Sequence, residues 1–418
     1  MAKIVALDAR TTAWVRARFE EYYRQTALPG PDRIARREFA AFPFAAETLM
    51  RRHAAFASEE ELRRFVREVV PRHIYYSTAY YRHPARPAMP QKEWLGADLI
   101  FDLDADHLRG AEALDYAGQL RLVQRRTRTL VEEFLLGDFG VDPEHLRIVF
   151  SGGRGYHVHV VEDRFLSLTS AERRELVDYL AGQGFDPASA LLRRRERDPL
   201  AAGDRATTAG SSGIRAIGDP SAPGWRGRTA RAILARLEAW SALPPGEAAE
   251  EIARTVQAAG QPPAEARRMA RSAARHLVEE GGAARIVADP DHLLPKAALP
   301  DELLSAILRG LAIELQGETD APVTTDIHRL IRLPGSLHGG TGLSVRPVPL
   351  DRLPSFDPLA EAVVSWPGSA RVVYRAEASH AIAGEAIHAR PGAEEELPTA
   401  AATFLVLRGE AELPPSPE

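Results

Sequence analysis

The sequence predicts an α/β (α+β) chain, with a β-sheet core drawn from two separated stretches and a helical subdomain inserted between them. Three observations support this. Residues 98–106 (DLIFDLDAD) and 147–161 (RIVFSGGRGYHVHVV) are apolar runs with period-two alternation, the second broken by a glycine-rich turn. From Ser170 to about Gly317 the composition turns to Ala, Leu, Arg and Glu at helical spacing. After Asp320, short apolar segments and a second glycine-rich turn return. The expected division is a core first part over 1–165, a helical insertion over 166–317, a core second part over 318–413 and a disordered tail over 414–418.

Taken in order, residues 11–25 have helical spacing, with Trp14, Val15, Phe19 and Tyr22 or Tyr23 on one face. Arg36 to Phe44 reads as a short extended segment. Ser58 is a helix N-cap with Glu61 three residues on, and Pro71 stops that helix. His73 to Tyr81 (HIYYSTAYY) is β-branched and aromatic, hence strand or an aromatic-lined connection. Gly110 to Leu136 is helical, with Leu114, Leu120, Val123, Leu130, Val131 and Phe134 apolar. Further helices are expected near 170–182, 229–242, 246–259, 263–281 and 300–316. Residues 184–228 read as a mobile or loosely packed linker, and the cluster Arg193, Arg194, Arg195 and Arg197 as a solvated face or a nucleic-acid contact. A short apolar helix is expected around Phe404 to Leu407.

Composition bounds the function. With 418 residues, 45% hydrophobic and 27% charged, the chain can bury a large core. No apolar run is long enough to cross a membrane and no signal-peptide pattern is present, so no membrane partner and a cytoplasmic location are expected. The net charge of −5 excludes a uniformly basic nucleic-acid binder but allows a local basic groove. All but three of the 53 basic residues (Lys3, Lys92 and Lys296) are arginines, planar donors suited to phosphate. The absence of cysteine excludes disulfides, thiolate zinc sites and cysteine nucleophiles.

Alternation puts Asp102 and Asp104 on the same face of a strand, about 6.5–7 Å apart along it. Like charges at that range repel, more so when buried. Such a pair is either a solvated strand end or a hard-oxygen site for Mg²⁺ or Mn²⁺. The turn Gly152-Gly153-Arg154-Gly155, with Ser151 and His157 beside it, is either a phosphate cradle or a hairpin with polar tips. His157 and His159 share a strand face but lack a third ligand for a metal pair. The segment from Asp320 to Val348 gathers Asp320, Asp326, Arg329, Arg332, His338 and the turn Gly339-Gly340-Thr341-Gly342, with a Val-Thr strand expected right after Asp320.

Together, DLIFDLDADH, SGGRGYH and the Asp320 segment with RLIRLPGSLHGGTG resemble the three motifs of the catalytic small subunit of archaeal and eukaryotic DNA primases. Arg37-Glu38-Phe39, the Tyr75–Tyr81 aromatics and GEAEL near the end extend the resemblance. It implies the archaeo-eukaryotic primase fold and template-directed nucleotidyl transfer from NTPs, making short RNA primers. Asp102 and Asp104 would then hold two metals, Mg²⁺ or Mn²⁺, with Asp320 as third carboxylate and Asp326 its competitor. Ser151, Arg154 and His157 would contact the incoming triphosphate, Arg332 would be a basic phosphate ligand, and His338 a further triphosphate contact. The implied partners are a primase large subunit and a single-stranded DNA template. Members commonly carry a Cys/His zinc knuckle near the first two motifs. This chain has no Cys, and only His107 and His145 lie in that interval, so no structural zinc is expected. The competing readings are a repair or translesion primase-polymerase, a metal-dependent phosphohydrolase, and a non-catalytic nucleic-acid-binding module.

Overall fold

The computed structural model of the chain describes residues 7–44, 50–194, 214–296, 299–314 and 317–415. Helix α1 (Ala9–Gln25) starts where the Asp8 side chain accepts the Arg10 and Thr11 N–H groups, and it buries Val15, Phe19 and Tyr23. Strands β1 (Phe39–Pro43) and β2 (Arg51–Ala54) follow. Helix α2 (Glu59–Val69) opens on the Ser58 cap, and Glu61 reaches back to Ala57 N at 2.7 Å. Pro71 then begins β3 (Pro71–Ser77). After β4 (Ala79–Tyr81), the one-turn helix α3 (Met89–Lys92) and β5 (Trp94–Ala97) comes β6 (Leu99–Asp104), which carries the paired aspartates. Helix α4 (Tyr116–Thr129), prolonged to Asp138 by a π-helical stretch, fills the interval before β7 (Leu146–Phe150) and β8 (Gly155–Val160). It buries Leu120, Val123, Leu130 and Phe134; Leu114, expected within the helix, precedes it and is exposed.

Helix α5 (Ser170–Leu180) runs into the middle of the chain. There follow β9 (Leu191–Arg194), β10 (Ile214–Ile217), α6 (Gly224–Ser241), α7 (Pro245–Ala258), α8 (Pro263–Ala274), α9 (Gly282–Ala288), β11 (Leu293–Leu294) and α10 (Asp301–Glu314). The expected linker over 184–228 therefore contains regular elements where it is described. Its strands β9 and β10 join β11 in an antiparallel sheet, and α6 begins inside it. Strands of two to four residues show too little alternation to stand out among Arg and Ser. Arg193 and Arg194 belong to β9, while Arg195, Arg197 and the TTAGSSG run lie outside the described residues.

The last part of the chain carries α11 (Ala321–Thr325), β12 (Leu330–Arg332), β13 (Arg346–Val348), α12 (Pro358–Glu361), β14 (Ser369–Tyr374), β15 (Ala378–Ile382), β16 (Glu385–Ala389), β17 (Glu394–Pro398), α13 (Thr399–Arg408) and β18 (Ala411–Glu412). The Val-Thr strand expected after Asp320 is instead the single helical turn α11. Asp320 occupies its N-cap position and Pro322 its first turn, where a fixed φ favours helix entry over strand pairing. Of the tail expected from 414, residues 416–418 lie outside the described residues.

Two compact units result, residues 1–177 with 318–418, and residues 178–317. The second has its own core, including Ile233, Leu237, Trp240, Ile252, Leu277 and Leu303. The first contains two four-stranded sheets, ordered β12-β3-β1-β2 and β13-β7-β8-β6. Every strand pairing among the described residues is antiparallel, so the α/β (α+β) class takes its α+β form. Both sheets are completed by one strand from beyond the inserted unit. The β7–β8 hairpin forms as expected, and β6 pairs with β8 in the register Asp102↔His157 and Asp104↔Gly155.

That register needs a glycine at 155, because a Cβ there would stand 2.4 Å from the Leu103 carbonyl oxygen. Gly155→Ala is expected to lower stability by about 1–3 kcal/mol through forced separation of β6 from β8. Gly246→Ala, in open space near the start of α7, should be neutral or slightly stabilising. Denaturant midpoints of the two variants check this, and equal midpoints would sink the steric account.

Candidate active site

Strand β6 lies at the edge of its sheet, and the returning chain is bonded to it. Asp320 N donates to the Asp102 carbonyl at 2.8 Å, and Thr319 Oγ1 donates to the same oxygen at 3.2 Å. Asp320 is thereby brought beside Asp102 and Asp104. All three line a cavity of about 590 Å³ together with Asp326, Ser151, Arg154, His157, Arg332 and His338. Every site residue picked out in the sequence is thus gathered in one place.

The carboxylates are not equivalent. Burial raises the Asp102 pKa to about 7, helped by the charges of Asp104 and Asp320 and opposed by Arg329 and Arg332. Its nearest basic group is His157, whose Nε2 lies 3.7 Å from Oδ1. Asp104 Oδ1 accepts the Asp106 N–H, Asp326 Oδ1 accepts the His328 N–H, and among the described residues Asp320 Oδ2 has only His107 Nε2 at 3.8 Å. As they stand, no three His, Asp or Glu side chains among the described residues close round a single ion. The donors themselves suit a hard divalent cation: three carboxylates line one cavity, and burial together with its neighbours' charge pushes one of them up to about 7.

Beside them two glycine-rich turns pack on each other. Ser151 N donates to Gly155 O at 2.9 Å and Gly153 N to Ser151 Oγ at 3.3 Å, closing the first turn. Thr341 Oγ1, from the second, donates to Gly152 O at 2.5 Å. A Cβ on Gly152 would meet His338 Cβ at 2.6 Å, so only glycine admits this approach. Gly340 N donates to His338 Nδ1 at 3.2 Å, which leaves the proton of the neutral ring on Nε2. Burial, with Arg332 and His73 nearby, holds the His338 pKa well below the usual imidazole value, and burial beside His159 does the same for His157. Arg154 reaches Asp106 at 2.6 Å.

Arg332 is held by residues that sequence reading passed over. Strand β12 pairs Arg332 with Tyr75 on β3. Arg332 Nη1 donates to His73 Nδ1 at 2.6 Å and to Tyr75 Oη at 3.2 Å. His73 accepts because burial and the charges of Arg332 and Arg72 keep it neutral. Alternation along HIYYS would have put His73 and Tyr75 on one face; what they face is a matter of pairing with β12. Arg329 and Thr341, from the segment after Asp320, also line the cavity, as do Arg52, Tyr116 and Arg408, which nothing local in sequence marks. His159 does not line it. Its ring is stacked on Tyr76, and burial pushes it down to about 4.

The sequence profile of the family described as DNA primase small subunit matches residues 101–219, the stretch with the paired aspartates and the first glycine-rich turn. The chain is 38% identical to the DNA primase small subunit PriS of Methanocella arvoryzae, over 98% of this chain and the whole of that protein. The chain belongs to the DNA primase small subunit family. The PriS of Methanothrix thermoacetophila is 39% identical over 97% of this chain and all of its own length, and that of Methanoregula boonei 38% over the same shares. A DNA primase small subunit is a nucleotidyltransferase that makes RNA primers, and the family's catalysis is metal-dependent. Family membership favours this over the phosphohydrolase and binding-module readings. No helix among the described residues is long and apolar enough to cross a membrane.

The raised Asp102 pKa has a sign that can be tested in metal-free protein. A carboxyl whose folded pKa is about 7, against 3.8 unfolded, favours folding fully below pH 3.8, and that contribution is lost as pH rises to 7. Asp102→Asn, neutral throughout, should therefore be more stable than the parent above pH 7 in chelator, by no more than about 4 kcal/mol. Thermal melts from pH 4 to 8 measure this. Parallel curves for the two proteins would rule out the electrostatic strain.

Proposed function

We propose that this cavity carries out template-directed nucleotidyl transfer, with Asp102, Asp104 and Asp320 holding two Mg²⁺ or Mn²⁺ ions. Ser151, Arg154, His157, Arg332 and His338 receive the triphosphate of the incoming NTP. The observation that carries the reading is the hydrogen bond from Asp320 N to Asp102 O, which ties a third carboxylate to the D-x-D strand across the inserted unit. Bound ions would supply the charge that lowers the pKa of the attacking 3′-hydroxyl and stabilises the leaving pyrophosphate.

The chain's own groups do the rest. Arg154 and Arg332 neutralise polyphosphate oxygens with charge-assisted donors. His338, its Nδ1 occupied by Gly340 N, offers Nε2–H as a donor beside Gly153. The His73 and Tyr75 contacts fix the Arg332 guanidinium before substrate arrives, so little ordering remains for binding to supply. The partners in this reading are a primase large subunit and a single-stranded DNA template, and the setting is the cytoplasm.

The assignment separates two aspartates. Asp102→Asn and Asp320→Ala should each abolish primer synthesis, while Asp326→Ala, whose carboxylate caps the turn at His328, should be milder. Labelled-nucleotide incorporation on a single-stranded template, with and without the large subunit, gives the ranking; the reverse order of Asp320 and Asp326 would overturn it. A second expectation concerns zinc. The interval that resembles the family's knuckle region is occupied by α4, packed through Leu120, Val123, Leu130 and Phe134. Elemental analysis should find no stoichiometric zinc, and chelator should stop synthesis without lowering the melting temperature. One tightly held zinc per chain whose removal collapses the melt would contradict this.

A further inference from the structure

The GEAEL run near the C-terminus has no part in the site so far, yet it follows directly on a cavity-lining arginine. Arg408 ends α13, a helix buried from Thr399 to Leu407, and Gly409 turns the chain away in the left-handed conformation at φ 74. Glu410 then folds back on Arg408. Its Oε1 accepts Nε and Nη2, both at 2.7 Å, and its Oε2 lies 2.5 Å from His380 Nε2. Burial raises the Glu410 pKa, but His380 and Arg408 outweigh it and hold the carboxyl below its usual range. The guanidinium is pressed over the Tyr116 ring, 4.2 Å from its centroid. The Tyr116 hydroxyl donates to Gly153 O, in the first glycine-rich turn, at 2.7 Å. Arg408 Nη1 has no protein partner among the described residues.

A helix-terminal cation with a nearby carboxylate needs nothing more than Arg408 and Glu410. That account leaves unexplained why a half-buried histidine holds the carboxylate, and why the guanidinium lies on the ring that anchors the Gly153 turn. It also leaves unexplained a guanidinium at the wall of a cavity lined by Asp104 and Arg154.

We propose that Arg408 contacts the substrate, binding the polyphosphate of the incoming nucleoside triphosphate together with Arg154, and that Glu410 and His380 are its positioning residues. This rests on the assignment of the Ser151–Gly155 turn to the triphosphate. One edge of the guanidinium, Nε and Nη2, is fixed by Glu410 and the ring beneath sets its plane, so Nη1 is ordered before substrate binds. The net charge brought to the phosphates is moderated by Glu410, which suits a site that must also release pyrophosphate.

The test is equilibrium binding of ATP and AMP to the full chain with Mg²⁺ present, for Arg408→Ala, Arg408→Lys, Glu410→Gln and Arg154→Ala. Arg408→Ala should weaken ATP binding about ten- to a hundred-fold with AMP affinity unchanged. Glu410→Gln should show a smaller loss with the same selectivity for ATP. Should Arg408→Ala fail to fold, Arg408→Lys decides: it keeps the cation but not the fork, and several-fold weaker ATP binding is expected. Parent-like ATP affinity in the folded Arg408 variant, beside a loss in Arg154→Ala, overturns this inference alone. Parent-like affinity in both overturns the turn assignment as well. Equal losses for ATP and AMP, or a loss confined to primed single-stranded DNA, also overturn it.

Discussion

The outward edge of β6 is the constraint on which the site depends. An edge strand leaves backbone groups unpaired, and the Asp102 carbonyl is one of them. Its partners, Asp320 N and Thr319 Oγ1, come from a segment more than two hundred positions later. One peptide oxygen thus ties the two halves of the split unit together and sets the spacing of three carboxylates. The remaining arrangement follows from it. Strand β12 continues from that segment to pair with β3, and the second glycine-rich turn then reaches the first.

The contrast between Asp98 and Asp102 shows how the same stretch of chain treats buried carboxylates in two ways. Asp98 is almost wholly buried, and Arg37 Nη2 at 2.7 Å and Tyr80 Oη at 2.6 Å satisfy it. Arg37 also donates to the Ser77 and Thr78 carbonyls, so that cluster is a structural joint. Four residues on, Asp102 has no such donor among the described residues and meets the charges of two further carboxylates instead. A buried ion pair is roughly neutral for stability, whereas unpaired like charges oppose folding until something positive arrives. In the proposed reading, that opposition is what a bound cation relieves.

Rigidity at the two glycine-rich turns has a different origin. The two glycine-rich turns approach each other because neither carries side chains there, and His338, Thr341 and Tyr116 each make a hydrogen bond that locks one of them. Neutral imidazoles are the common element. His73 accepts from Arg332, and His338 accepts from Gly340, each kept unprotonated by burial and by nearby arginines. Burial therefore leaves the cavity's positive charge to arginine while histidine sets its direction.

The local signals in the chain were enough for the β6 strand, the β7–β8 hairpin, the Ser58-capped helix and the predominantly helical middle. Each rests on periodicity or a cap within a few residues, and the three motif stretches carried the family likeness without any contact map. Where a signal is non-local or contradictory, the sequence fell short. Val-Thr after Asp320 favours a strand, yet Pro322 in the first turn and the bond from Asp320 N to Asp102 make it a helical turn. Strands β9, β10 and β11 have only two to four residues each, and β14 to β17 carry mixed burial, so period-two alternation does not mark them, even where β15 and β16 pair in a local hairpin. The same holds for His73, Tyr75 and Arg408, whose chemistry depends on which distant segment they face. Residue types and spacings determined what this chain can bind; tertiary contact decided which side chains are aimed at it, because hydrogen-bond partners hundreds of residues apart leave no trace in local pattern.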